Sequence, residues 1–207
     1  SHGIKKIISE KIVTQSETSY LKIINLSEKN GVNIWVNCKT RAVQIWNEVK
    51  NKIDIQDHLV FHSTGGDHGL CTNGLHTLDL FVFLTESSEL INDGSHLDFV
   101  LHKTKREKFD LSGVLSATGR NNSKCVISYS QFHRSMPFEV LSTSNYRWII
   151  DPASQVAYEG ERENGWKMKA LYFSENMSVS HMSIDFIREC LLSNSSRLPN
   201  LQQTFAA

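Results

Sequence analysis

The chain has 207 residues, enough for one domain with a sizeable core. Hydrophobic residues make up 40% of it, and 22 basic residues balance 22 acidic ones, so charge gives no reason to expect nucleic acid or an anionic membrane as a partner. No apolar run reaches the ~18 residues of a membrane span. The four cysteines (Cys38, Cys71, Cys125 and Cys190) form no CxxC pair, which argues against a zinc ribbon or a dithiol redox motif.

The ends of the chain are expected to lie outside the folded unit. Residues 1–3 read "SHG", without a methionine, and are interpreted as a cloning remnant. Residues 4–193 are expected to form a single domain of a catalytic type, and residues 194–207 a loosely packed polar tail. The sequence leaves the cellular compartment open.

The first half of the chain combines weak strand patterns with two helix patterns. "YLKIINL" within residues 4–25 is consistent with a short strand, and the alternation over 31–37 predicts another. Apolar residues at steps of three and four predict a helix over 41–53. Residues 57–69 are interpreted as a short apolar stretch followed by a glycine-rich loop. The next segment, 71–86, favours a buried helix that begins near Cys71, although "LFVF" alone would also suit a buried strand.

The second half of the chain has the texture of antiparallel strands. Short β-rich runs separated by turn-rich connections predict strands near 97–102, 124–131, 136–141, 146–151, 155–159 and 166–173. A final helix is expected over 180–193. Helices followed by a run of strands indicate an α+β fold.

Cys71 is the strongest candidate for a reactive group. A cysteine is more often a buried small hydrophobe than a reactive group. However, a helix N-terminus after a glycine-rich loop favours the thiolate and offers unpaired N–H groups to an oxyanion. His133 and Asp151 could complete a catalytic set, because they lie on two strands joined by a turn-like segment. Trp148, on the strand of Asp151, could wall such a site.

These residues resemble a known superfamily. A cysteine that opens a helix, followed by "H-x6-V-x7-W-x2-D-P" (His133, Val140, Trp148, Asp151 and Pro152), is similar to the transglutaminase-like branch of the papain-like cysteine enzymes. The resemblance covers roughly 40–160. It implies that the nucleophile helix packs on an antiparallel sheet, with Cys71 as nucleophile, His133 as acid/base and Asp151 as the orienting residue.

The resemblance implies a thiol-dependent hydrolase or acyltransferase that acts on an amide in a protein or peptide, as a protease, amidase, deamidase or transglutaminase does. No cofactor and no metal are expected, and His68 and Trp148 are the candidate substrate-binding residues. Thr72 after the cysteine and "HRS" after His133 depart from the usual pattern of the superfamily, which leaves substrate and reaction open.

Three other interpretations remain. The chain could be an inactive binding module of the same fold. His58, His62, His68 and Cys71 could bind zinc, since these are its preferred ligand types, although their spacing matches no known motif. "HST" at His62 and "HRS" at His133 match the paired H-x-[ST] motifs of two-histidine phosphoesterases, but "HKT" and "HMS" match equally well.

Overall fold

The computed structural model describes residues 3–103, 107, 109–174, 179–193 and 195–207. Its helices are α1 (Glu17–Asn30), α2 (Gln44–Lys52), α3 (Leu70–Thr85), α4 (Val179–Ser193) and α5 (Leu201–Phe205). Its strands are β1 (Lys6–Ser9), β2 (Asn33–Val36), β3 (Val60–Gly65), β4 (Ile91–Leu97), β5 (His102–Lys103), β6 (Phe109–Asp110), β7 (Gly113–Thr118), β8 (Lys124–Tyr129), β9 (Phe138–Ser142), β10 (Tyr146–Asp151), β11 (Val156–Glu161) and β12 (Met168–Tyr172).

A mixed sheet of eight strands forms the centre of the molecule, in the order β12-β11-β10-β9-β3-β8-β7-β4. The β3–β8 pair is parallel and the other pairs of this sheet are antiparallel. Side chains alternate across the strands, so that Trp148 and Ile150 are buried while Ile149 between them is exposed. The core therefore lies on one face of the sheet, against α2 and α3, and buried residues of α4 belong to the same cluster.

A smaller unit of two parallel strands precedes this sheet. β1 and β2 pair in parallel, and α1 connects them. Ser16 caps the start of α1 by accepting a hydrogen bond from the Ser19 amide, and Gly31 ends the helix with φ 60°. The segment "YLKIINL" is therefore helical, and the prediction of a strand there is wrong. Its sparse buried positions, Tyr20, Ile24 and Ser27, still follow a helical period.

The C-terminal residues pack tightly against this unit, contrary to the expected loose tail. Leu198 and Leu201 are 3% and 2% exposed, and Asn200 forms a bridge to Trp35 of β2. Asn200 also caps α5 through a reciprocal capping box with Gln203. The polar composition of the segment concealed these apolar anchors.

An ion pair ties the 3-10 turn before α2 (Lys39–Ala42) to α3. Arg41 Nε and Nη2 donate to the two carboxylate oxygens of Asp79 at 2.8 and 2.7 Å, with the side chains 3% and 0% exposed. Such a pair is tolerated in a core only when both partners are bonded in good geometry. It fixes α3, whose first turn borders the site described below.

Most predicted elements are confirmed, but the predicted architecture is wrong. The strand at 31–37, the helices over 41–53 and from Cys71, and the strands from 124 onward appear near their expected bounds, as does the last helix. The stretch taken as an apolar run before a loop is β3, in the middle of the sheet, and β4 and β7 were not predicted. The parallel β3–β8 pair and the βαβ unit do not fit the expected papain/transglutaminase-like α+β fold on an antiparallel sheet. Within the described ranges, no helix is long and apolar enough to cross a membrane.

Candidate functional site

The loop between β3 and α3 forms one wall of the candidate site. β3 ends at Gly65, and the amides of Gly66 and Asp67 donate to the carbonyls of Ser135 and His133 at 3.1 and 2.8 Å. A Cβ at Gly66 would lie 2.5 Å from the Ser135 nitrogen, so only glycine allows the two backbones to approach. This contact holds the loop that leads into α3.

Lys11 reaches this wall from the connection between β1 and α1. Its Nζ donates to the backbone carbonyl of Thr72 and to Asn73 Oδ1, the latter at 3.2 Å. The same Asn73 side chain donates through Nδ2 to the His68 carbonyl. A half-buried ammonium group is thus fixed between the βαβ unit and the first turn of α3.

Two histidines lie within the electrostatic reach of this ammonium. Burial, followed by the positive charges of Lys11 and Lys39, lowers the pKa of His76 to about 4. His76 Nδ1 is buried and has no hydrogen-bond partner among the described residues. Burial and the charge of Lys11 also lower the pKa of His68, against the raising effect of Asp110 and Asp67. Both imidazoles are therefore neutral near pH 7, which is the form that can accept a proton.

The three residues predicted as a catalytic triad have separate partners. Cys71 is exposed and its amide donates to Asp110 Oδ1 at 2.7 Å. His133 lies exposed in a loop with its Nδ1 3.4 Å from Ser135 Oγ. Asp151 accepts from Ser154 Oγ at 2.6 Å and holds the turn after β10. Across the described residues, no hydrogen bond or ion pair joins Cys71, His133 and Asp151 to one another.

The environment of Cys71 also differs from that of a nucleophile. Desolvation and the negative charge of Asp110 raise the pKa of its thiol, whereas a nucleophilic cysteine requires a lowered pKa. The carboxylate occupies the N–H group that was expected to favour a thiolate or an oxyanion. The sequence could not reveal this, because Asp110 is 39 positions away in the chain, in a charge-mixed segment (102–110) whose composition predicts a solvated strand end and loop.

The two predicted substrate-binding residues differ in accessibility. Trp148 is 1% exposed, stacks on Tyr146 and donates to Glu159 Oε2 at 2.7 Å, so it belongs to the core. His68 lies edge-on to the ring of Tyr129, with 5.7 Å between the centroids, and its carbonyl accepts a hydrogen bond from Asn73, the residue that also accepts from Lys11. Of the two, His68 lies where a ligand could reach it.

The histidines of the alternative interpretations are spread apart. His62 is exposed on β3, and His58 Nδ1 contacts the carbonyl of Asn121 at 3.4 Å. In the described part of the chain, no group of three or more His, Cys, Asp or Glu side chains is arranged to hold a metal ion. Neither His62 nor His133, the histidines of the paired H-x-[ST] motifs, takes part in the described hydrogen bonds among Lys11, Thr72, Asn73 and the His68 carbonyl.

Sequence reasoning missed Lys11, His76 and Asp110. Lys11 follows β1, a strand that was not recognised in a weakly patterned region. His76 lies in α3 within "NGLHTLD", five residues after Cys71. The polar residues on a second face of this otherwise apolar helix could have indicated a functional role for it. Asp110 carried no local signal.

The fold is shared with NAD(P)-binding oxidoreductases. No protein-family model and no curated protein matches the sequence. Among solved structures, a dehydrogenase from Clostridium difficile is 14% identical, with a TM-score of 0.69 over 95% of this chain and 66% of that one. UDP-N-acetylglucosamine 3-dehydrogenase from Acidithiobacillus ferrooxidans is 12% identical, with a TM-score of 0.71 over 96% and 65%. The Gal80p super-repressor from Saccharomyces cerevisiae is 11% identical, with a TM-score of 0.72 over 99% and 68%.

These likenesses correct the interpretation of the sequence. The resemblance to transglutaminase-like and papain-like enzymes is wrong, since the solved structures that share this fold include dehydrogenases, an NAD-binding oxidoreductase and Gal80p. The predictions that the chain is a cysteine hydrolase, an acyltransferase or a thiol protease, which depend on that resemblance, are therefore also wrong. The chain spans about two thirds of the length of these structures. At 11–14% identity the likeness establishes the fold: a mixed central sheet with a parallel βαβ unit.

Proposed function

We propose that this chain carries the substrate-side residues of an NAD(P)-dependent oxidoreductase that interconverts a hydroxyl and a carbonyl group. The observation that carries the proposal is the pair of hydrogen bonds from Lys11 to Thr72 and Asn73. Both acceptor residues lie in α3, the helix that also carries neutral His76. This pair of hydrogen bonds places a cation at the first turn of the helix that carries a histidine under the electrostatic influence of that cation, at the junction of the βαβ unit and the large sheet. The shared fold supports this class of reaction.

The residues fit one end of a dinucleotide. Ligands of parallel α/β units bind beyond the carboxyl ends of the strands, and Lys11 follows the carboxyl end of β1. The 207 residues contain no G-x-G-x-x-G turn for the pyrophosphate. We therefore assign the nicotinamide end to the surroundings of Lys11 and the pyrophosphate to residues outside this sequence.

The βαβ unit suggests where those residues would join. The outer edge of β2 is occupied, because the Val36 amide donates to the Pro199 carbonyl at 2.9 Å. β1 has no strand on its other edge in the described structure. Ile4, Ile7 and Ile8, near that edge, are 73%, 38% and 37% exposed. Parallel sheets are normally extended and covered on both faces, so we assign additional parallel strands to the edge of β1.

The chemistry of the site follows from its charges. When bound, a nicotinamide cofactor accepts or supplies a hydride at the reacting carbon. The Lys11 ammonium would donate a hydrogen bond to the substrate oxygen and stabilise the negative charge that develops there. Neutral His76 would accept the hydroxyl proton during oxidation. The polar surroundings of Thr72, Asn73 and His68 suit a hydroxyl-rich substrate such as a sugar or polyol.

The test is a nicotinamide-linked assay. The full-length protein, with the pyrophosphate-binding residues assigned above to a part outside these 207 residues, is incubated with NAD⁺ or NADP⁺ and a panel of sugars, polyols and hydroxy acids, and absorbance of the reduced cofactor is followed. We expect turnover with at least one hydroxylated compound, reduced about 100-fold or more in Lys11→Met and in His76→Asn. Lys5→Met, a lysine bonded to the Asn30 carbonyl, is the control that should retain the rate. Absence of both turnover and nucleotide binding would reject the proposal.

A second candidate is a regulatory protein that binds a ligand without turnover. One protein that shares the fold is a repressor, and its TM-score is 0.72. The engagement of Lys11 by two acceptors within the protein is compatible with a structural role for this cation. Tight nucleotide or sugar binding with no turnover in the same assay would favour this candidate.

A further inference from the structure

A buried carboxylate from another part of the chain caps α3. Asp110 of β6 is 0% exposed. Its Oδ1 accepts from the amides of Cys71 and Leu111 at 2.7 and 2.8 Å, and its Oδ2 accepts from Thr72 Oγ1 at 2.7 Å. Two of the three donors belong to the first turn of α3. A negative charge at this end of a helix is favoured by the helix dipole and by the unpaired amides.

Gly69 makes room for this carboxylate. It occupies the N-cap position of α3 with φ 87° and offers no side-chain acceptor of its own. A Cβ on Gly69 would lie 2.6 Å from Asp110 Oδ2 and would also collide with the Thr72 hydroxyl. The cap that the helix lacks locally is therefore supplied by a residue 39 positions after Cys71.

The capped turn is the one that holds Lys11. Asp110 fixes Thr72 through the side-chain hydroxyl and fixes Cys71 through its amide. The Thr72 carbonyl, on the same residue, accepts from Lys11 Nζ. Thr72 thus connects Asp110 to the ammonium by two hydrogen bonds, one made by its hydroxyl and one by its carbonyl.

We propose that Asp110 is the positioning residue for Lys11: its carboxylate holds Thr72 so that the Thr72 carbonyl can orient the ammonium toward the substrate oxygen. The role of the ammonium in catalysis rests on the proposed function above, whereas its restraint by Asp110 does not. The first readout is therefore independent of activity.

The first experiment measures lysine reactivity in the intact protein. Wild type and Asp110→Asn are treated briefly with a water-soluble acetylating reagent, and modification of Lys11 and Lys5 is quantified by peptide mass spectrometry. We expect modification of Lys11 to rise about five-fold in the variant, the factor that corresponds to losing one hydrogen bond of ordinary strength. Lys5 should not change. Asp98→Asn removes a carboxylate bonded to Ser112 Oγ and is the matched control.

Thr72→Val is a second variant that tests the proposal even if Asp110→Asn does not fold. It removes the hydroxyl that joins Thr72 to Asp110 but keeps the Cys71 amide bond to the carboxylate. Modification of Lys11 should rise in this variant as well. An unchanged rate at Lys11 in a folded Asp110→Asn or Thr72→Val protein, judged by circular dichroism, would overturn the proposal.

The second experiment couples the two residues through activity. Asp110→Asn should lower kcat about ten-fold with little change in KM, because orientation rather than binding is lost. Combined with Lys11→Met, it should add no further loss, since it acts through the lysine. Additive losses would overturn the proposal. Increased labelling of Lys11, with no nicotinamide-dependent activity in wild type, would uphold the positioning and reject the proposed function.

Discussion

Asn73 Oδ1 accepts a hydrogen bond from Lys11 Nζ at 3.2 Å, while Asn73 Nδ2 donates to the carbonyl of His68. One side chain therefore links the βαβ unit, the loop after β3 and the first turn of α3. This side chain therefore restrains Lys11, which comes from the βαβ unit, against the first turn of α3.

Replacing Asn73 by leucine should lower turnover without removing the fold. Lys11 would lose one of its two described acceptors and the His68 carbonyl would lose its donor. We expect kcat/KM to fall about ten-fold, which corresponds to roughly 1.4 kcal/mol of transition-state stabilisation. The measurement is the nicotinamide-linked rate. Asn145→Leu, at an exposed turn, should leave it unchanged; equal effects of the two variants would contradict the link.

The pKa of His76 should depend on Lys11. Burial is the main reason that this pKa lies at about 4, and the charge of Lys11 is the next. Lys11→Met removes that charge but not the burial, so the pKa of His76 should rise toward, but not reach, its ordinary value of 6.5. The titration of the His76 ring protons by NMR measures it, with Lys5→Met as the control. A fall, or no change, would show that the two groups are not coupled.

The sequence predicted elements better than their assembly. The hairpins from β9 to β12 and the helix at Leu70–Thr85 were found because alternation, turn residues and a glycine before an apolar run are local properties. β3 was missed because its residues "VFHSTG" mix apolar and polar types and run into glycines. In addition, its neighbours in the sheet, β8 and β9, are distant in the chain and leave no local signal. The order of the strands was not encoded in any local pattern.

The long-range partners of Cys71 and of α3 could not be predicted for the same physical reason. A cysteine at a helix N-terminus suits a nucleophile only if the first-turn amides remain unpaired. Asp110, which pairs with one of them, arrives from β6 and raises rather than lowers the pKa of the thiol. Lys11 likewise reaches α3 from the start of the chain. Contacts over such separations cannot be obtained from periodicity.

Removing one partner of the Arg41–Asp79 ion pair should destabilise the protein strongly. Arg41→Met leaves the fully buried Asp79 without its partner, and we expect the free energy of unfolding to fall by about 3–5 kcal/mol. Arg41→Met combined with Asp79→Leu should recover most of this loss, because no buried charge remains. Urea unfolding measures both. Lys52→Met breaks a partly exposed pair with Glu159 and should cost about 1 kcal/mol or less.

Glu139 should make the stability of the protein depend on pH. It is 6% exposed, and its Oε1 accepts a weak hydrogen bond from Ser63 Oγ at 3.4 Å. Burial raises its pKa from 4.5 to about 8, with a smaller contribution from the charge of Asp151 and against the effect of the Ser63 bond. The folded state therefore binds the proton more tightly than the unfolded state. The contribution of this group is fully present below pH 4.5 and is lost as the pH rises through about 8.

Glu139→Gln tests this dependence directly. In wild type, the free energy of unfolding should fall by up to ~1.4 kcal/mol per pH unit between about pH 5 and pH 8. The amide cannot ionise, so the variant should have a flatter profile and be more stable than wild type at pH 8. Urea unfolding across this range measures the slope. Glu163→Gln, at an exposed turn, should keep the wild-type slope; a variant at position 139 that also keeps it would mean that the buried carboxyl does not titrate in this range.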